Sequence, residues 1–94
     1  MPMFVVLGHI SDQGAKEMKN FLTVLEQNLS RAEALGIKLH GWYMTQGQYD
    51  FVVIAEASSD EAMLKQAFGV AGTGMTRTET MRAYTVDEIR QLLP

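Results

Sequence analysis

The chain has 94 residues, a net charge of −3 and no run of basic residues, so it lacks the electrostatics for non-specific binding to nucleic acid or anionic membranes. It contains no cysteine, which excludes disulfides, thiolate catalysis and Cys-ligated metal centres and fits a reducing, cytoplasmic compartment. With 47% apolar and 20% charged residues it reads as one globular domain over residues 1–94, and no stretch approaches the ~18 apolar residues of a membrane span.

Met3–Ile10 is β-rich and apolar at both alternating sets of positions, as expected of a strand covered on both faces, and it has no basic flank of the kind a signal peptide carries. Ser11-Asp12 offers a helix N-cap. From about Gln13 to Leu35 the spacing predicts one long amphipathic helix, with Met18, Leu22, Leu25, Leu29 and Ala32 on its apolar stripe, Phe21 and Leu35 widening it, and Gly36 as a left-handed C-cap. Ile37–Gln46 alternates less cleanly: Ile37, Leu39 and Tyr43 fall on one face, Lys38, His40, Trp42 and Met44 on the other, which suits an edge strand. Gly47-Gln48 reads as a two-residue hairpin loop, with Asp50 accepting bonds from turn N–H groups.

Phe51–Ala55 is again apolar on both faces. Ser58 with Glu61 predicts a capping box and a short helix to about Phe68, burying Met63, Ala67 and Leu64, followed by a glycine-rich connection over Gly69–Gly74. That connection lacks the Gly-Lys-Ser/Thr ending of a phosphate loop and precedes a strand. Gly74–Tyr84 is a Thr-rich alternating strand, with Arg77 and Glu79 on one face and Arg82 on the other with Thr76, Thr78 and Thr80. Thr85 and Glu88 form a second capping box that opens a short terminal helix, with Val86, Ile89 and Leu92 or Leu93 turned inward.

The order βαββαβ plus a terminal helix defines an α+β, ferredoxin-like split βαβ fold with sheet order 4-1-3-2. That order puts the two doubly apolar strands in the centre. Two helices cover only one face of such a sheet, so the other face would carry one of the sets Met3/Val5/Leu7 and Phe4/Val6/Ile10, and one of Phe51/Val53 and Val52/Ile54. An apolar patch of that size is unusual on a monomer, which predicts a homodimer with the two sheets face to face.

Three segments carry a family resemblance. Val5–Gly8 with Asp12–Lys16, the hairpin Thr45–Phe51 (TQGQYDF), and Arg77–Thr80 with Arg82-Ala83 together resemble the GYD family of small bacterial proteins, over nearly the whole chain. The resemblance implies the dimeric α/β-barrel form of the ferredoxin-like fold and implies no particular activity. A more distant similarity, through the G-x-Y-D hairpin and the last strand, is to the effector-binding domain of leucine-responsive regulators, which bind amino acids at subunit interfaces; no helix-turn-helix segment precedes the first strand here.

The candidate ligand-binding residues are His9, Trp42, Tyr49, Asp50, Arg77, Glu79 and Arg82. Tyr49 and Asp50 have a structural explanation in a tight hairpin and a functional one at the rim of a small-molecule pocket. Arg77, Glu79 and Arg82 read either as charges that keep an edge strand solvated or as groups that pair subunits or hold an anion. His9 ends the first strand on the face of Met3, Val5 and Leu7 and reads as a structural residue or a recruited functional one, while His40 is thirty-one positions away and makes no metal-ligand spacing with it. Trp42 is a core or interface filler or a stacking platform. No nucleophile motif, metal site or cofactor motif is present. The resulting expectation is a homodimeric binding or sensing module for a small, anionic or aromatic ligand. The alternatives are a cofactor-independent enzyme of monooxygenase or isomerase type, by fold analogy alone, and a structural assembly partner.

Overall fold

A computed structural model describes residues 1–94. Strand β1 (Met3–Ile10) is followed by a short helix α1 (Asp12–Lys16), a 3₁₀ turn (Met18–Asn20) and helix α2 (Phe21–Ala34). Strands β2 (Lys38–Met44) and β3 (Phe51–Glu56) form a hairpin, helix α3 spans Asp60–Gly72, strand β4 Thr76–Ala83, and helix α4 Val86–Leu92. The four strands form one antiparallel sheet in the order β2-β3-β1-β4, which is the 4-1-3-2 order read from its other edge.

Register assigns the faces. Phe4 lies opposite Ala55 and Arg82, Val6 opposite Val53 and Thr80, and Gly8 opposite Phe51 and Thr78. This set faces α2 and α3, and Phe4 and Ala55 from it join Ala32, Ile37, Ala57 and Met63 in the core. Gly8 is required by close approach: a Cβ there would fall 2.0 Å from Cζ of Phe51, whose ring crosses β1. The opposite set is Met3, Val5, Leu7 and His9 with Val52 and Ile54, Met81, Glu79 and Arg77. No element of the chain covers it.

Several expectations are corrected. The long first helix is broken at Glu17, which caps α1, and a 3₁₀ turn leads into α2. The N-cap is Ser11 as expected, its hydroxyl accepting from the Gly14 N–H at 3.0 Å and donating to the Gly74 carbonyl at 2.6 Å. Gly14 sits so close to β4 that a Cβ would come within 2.2 Å of the Met75 carbonyl. With α1 pinned there, the chain re-aims before α2. The inward stripe becomes Phe21, Val24, Leu25, Asn28, Leu29 and Ala32, while Leu22 is 67% exposed and Met18 is also exposed.

In β2 a register shift between Leu39 and Gly41 breaks the alternation at His40. Leu39 and Trp42 therefore share the helix-facing side, and Tyr43, opposite Val52, goes to the open face. The hairpin loop runs from Thr45 to Asp50 and is longer than two residues, closed by the Thr45 N–H to the Asp50 carbonyl at 2.8 Å and by the Thr45 hydroxyl to the Tyr49 carbonyl at 2.5 Å. Helix α3 is capped by Ser59, which accepts from the Ala62 N–H at 3.2 Å, one position later than the Ser58 expectation, and it runs through Gly69 and Gly72. Only Gly74 of that glycine group takes a positive φ, at 69°. Leu64 is exposed, leaving Met63 as the buried residue of α3. The Thr85–Glu88 capping box forms in full, but α4 turns its apolar residues to solvent: Val86, Ile89, Leu92 and Leu93 are all exposed, with Leu92 at 72%.

Candidate functional site

The seven candidate residues fall into three places. His9, Tyr49 and Arg77 gather at one end of the open sheet face. The His9 and Tyr49 rings are 4.9 Å apart, and Arg77 lies across from His9 in the β1–β4 register. Asp50 sits beside this group with a structural task. Its Oδ2 accepts from the Ile10 N–H at 2.7 Å, and its own N–H donates to the Gly8 carbonyl at 2.8 Å. The bonds of Asp50 therefore staple the hairpin loop to the end of β1, where the turn N–H groups had been expected to be its partners. Glu79 lies one pair further along the open face, opposite Leu7. No Arg77–Glu79 ion pair forms; His40 Nε2 is hydrogen-bonded to Glu56 Oε1 at 2.5 Å, and Arg90 pairs with Asp87 at 2.6 Å. His40 therefore sits at the Met3 end of the face and His9 at the Ile10 end.

Trp42 lies under the helices, stacked on Phe51 with centroids 5.1 Å apart and tilted against Phe21 at 6.1 Å. Arg82 is at the far end of β4 on the helix-facing side. It donates to the carbonyls of Met3 and Ala83 and lies over the rings of Tyr84, at 4.5 Å, and Phe4, at 5.6 Å. Those contacts tie the start of α4 to the sheet. The Glu88 carboxyl is held below its ordinary value, chiefly by the bond from the Thr85 backbone N–H, with the Thr85 hydroxyl, Arg82 and the chain's amino terminus adding to it.

The sequence did not expose a cavity that the structure contains between the sheet and the helix layer. It has a volume of about 100 Å³ and nineteen lining residues, fifteen of them apolar and none charged. Leu25 and Leu29 of α2, Met63 and Val70 of α3, and Val53 and Trp42 of the sheet form much of its wall. Two of its lining residues, Leu39 and Thr78, are exposed, so it opens to the surface. Tyr49, Asp50, His9 and the three charged candidates do not line it. Only pairing of facing layers could have pointed to it, because its wall comes from two helices and all the strands.

The open face is the other feature of the surface. Val5, Leu7, Val52 and Ile54 run across its centre, only half-buried, with Tyr43 and Met81 exposed at its flanks. Fourteen large apolar residues of the chain are exposed, whereas nine apolar residues are buried. The accessible surface is 6385 Å², against about 5400 Å² expected of a compact monomer of this mass.

A single antiparallel sheet backed on one side by α2 and α3 places the molecule in the α+β class, with ferredoxin-like topology. The chain belongs to the GYD domain family, whose model matches residues 4–93. A relative from Thermus thermophilus, named glutamine synthetase and cystathionine beta-lyase binding protein, is 30% identical over 90 residues, covering 95% of each chain. Two solved structures share the fold. One, described as FFRP-DM1, aligns with a TM-score of 0.58 at 21% identity over 89% of this chain and 100% of its own. The other, TTHA0845 of Thermus thermophilus, aligns with a TM-score of 0.56 at 19% identity over 92% and 96%. No helix of the chain is long and apolar enough to cross a membrane.

Proposed function

We propose that the chain is a cytoplasmic, homodimeric binding module: two copies pack open face to open face, the outside of the dimer holds another protein, and the interior of each copy holds a small molecule. The observation that carries the pairing is the surplus of surface. The chain exposes roughly 1000 Å² more than its mass predicts, close to the ~800 Å² that one partner contributes to a standard interface. Apolar side chains lie on two uncovered features, the open sheet face and α4. Four strands at ~4.8 Å spacing and about seven residues of ~3.4 Å rise give the open face roughly 450 Å² of flat area, and the bare apolar side of α4 supplies more. A seven-residue helix has little intrinsic stability in water and needs tertiary cover.

The protein-binding half of the proposal is favoured by the Thermus relative, whose name states that it binds two enzymes. It is tested by mixing the purified chain with glutamine synthetase and cystathionine beta-lyase from the same source, each alone, in sedimentation velocity. Co-sedimentation with either enzyme is the expected result. Independent sedimentation of all three at tens of micromolar refutes it. The same runs report the mass of the free chain, expected at twice 10.5 kDa; a 10.5 kDa species across that range refutes the pairing.

A further inference from the structure

We infer that the cavity between the sheet and helices α2 and α3 is a binding site for a small, uncharged, largely apolar molecule that carries one hydroxyl or N–H group, of about the size of phenol. This deepens the small-molecule part of the reading above and rests on it.

The class of ligand follows from the wall. A cavity of about 100 Å³ with no charged lining residue offers no partner to a carboxylate, phosphate or ammonium group, and an unpaired charge is strongly disfavoured in such surroundings. This departs from the anionic ligand that Arg77 and Arg82 suggested in the sequence, since neither lines the cavity. Size sets the scale: an apolar cavity of about 150 Å³ in another protein takes up benzene, so this smaller one, open to the surface at Leu39 and Thr78, takes at most a single small ring with one edge at its mouth.

The polar group follows from two orphaned atoms. Gln66 Oε1 and Thr76 Oγ1 are buried without a hydrogen-bond partner, and both residues line the cavity. The Gln66 amide cannot be turned over to relieve this, because its Nε2 donates to the Asn28 carbonyl at 2.8 Å. The free atom is therefore the carbonyl oxygen, an acceptor that requires a donor. The Thr76 hydroxyl can donate or accept. Buried polar atoms are almost always paired in folded proteins, and here the two exceptions belong to residues on the wall of the same apolar cavity. Neither oxygen has exposed surface of its own, so a ligand donating to Gln66, with Thr76 as a second partner, requires those side chains to turn toward the cavity, its apolar body filling the remaining space.

Trp42 lines the cavity and is the only tryptophan, so its emission is a direct reporter. The experiment titrates phenol, and benzene as its counterpart without the hydroxyl, into the full chain while following Trp42 fluorescence and melting temperature. Phenol is expected to bind saturably and about five- to tenfold tighter than benzene, the value of one added hydrogen bond. Thr76→Val keeps the side-chain shape and is expected to reduce that preference while leaving benzene binding intact. Val70→Phe, which fills the cavity from α3, is expected to abolish both. Saturable changes that persist unaltered in Val70→Phe overturn the inference, as does the absence of any response to either compound at millimolar concentration in the unsubstituted chain. Equal affinity for phenol and benzene overturns the part that assigns Gln66 and Thr76. The unsubstituted chain decides the main point even if a variant fails to fold. Light scattering on the same samples separates the outcomes: a monomer that binds phenol removes the pairing and leaves the cavity site, and a dimer indifferent to both compounds removes the cavity site alone.

Discussion

Replacing Ile54 by glutamate is the sharpest probe of face-to-face pairing. Ile54 lies at the centre of the open face, opposite Val5 on one side and Gly41 on the other. In a single copy a glutamate at 54 reaches water, since no element covers that face, so the fold of the monomer should survive. In the paired form the same side chain is enclosed. Losing the isoleucine forgoes about 1.5–3 kcal/mol of apolar burial, and enclosing a carboxylate without a partner costs several kcal/mol more. Two-fold symmetry imposes both terms twice. A total above about 6 kcal/mol weakens the dimer by more than ~10⁴, turning a nanomolar association into one weaker than ten micromolar. Light scattering over a concentration series is the assay, with circular dichroism and Trp42 emission confirming the fold. The unsubstituted chain should give twice 10.5 kDa and Ile54→Glu a single 10.5 kDa. Lys19→Glu, on the exposed 3₁₀ turn, should leave the mass unchanged. An Ile54→Glu protein that is folded and still dimeric would refute the reasoning.

Three further outcomes follow from the geometry. Asp50→Ala removes the 2.7 Å bond to the Ile10 N–H and should cost about 1.5–3 kcal/mol in urea unfolding, as expected for a charged acceptor; Asp50→Asn, which keeps an acceptor, should cost less, and equal losses would argue against the staple. Gly8→Ala places a Cβ 2.0 Å from the Phe51 ring and should destabilise by about 1–3 kcal/mol through overpacking, with a shift in Trp42 emission because Trp42 stacks on the same ring; an unchanged unfolding midpoint would contradict the packing. Glu88, whose folded carboxyl is held below its ordinary value, favours the capped helix at pH above the unfolded carboxylate range and loses that contribution as pH falls through the lowered folded value. Amide exchange in α4 should therefore quicken in acid relative to β1, beyond the intrinsic pH effect, and the acid-specific change should vanish in Glu88→Gln.

The chain's own pattern settles a good deal. The two-sided apolar runs of β1 and β3 mark them as central strands, because a strand with neighbours on both edges has the least access to water and best tolerates that composition. Ser11 and the Thr85–Glu88 pair announce their helix starts because capping is local: the groups that bond are within four residues of one another. The uncovered face was legible for the same reason as the fold, since two helices cannot back both sides of a four-stranded sheet.

Other features depend on where distant segments come to rest. The break at Glu17 is invisible in the helical spacing read from Gln13 to Leu35, and on its near side Gly14 seats against the Met75 carbonyl, sixty-one positions away in the chain. The bulge at His40 adds one residue to one strand only, so strict alternation separated Trp42 from Leu39, with which it shares the helix-facing side. Asp50 has a turn-forming composition around it, yet its carboxylate is claimed by the Ile10 N–H, which needs a partner beyond the end of the β1–β3 ladder. The cavity is the extreme case. Its wall is drawn from both long helices and every strand, and its orphaned atoms, on Gln66 and Thr76, become neighbours of the same empty space only when α3 packs over the sheet. Sequence by itself determined the element order, the central strands and the family, because these follow from local propensity and periodicity. The site residues and the void they surround were decided by tertiary packing, because a cavity is a property of surfaces that meet and belongs to no single segment.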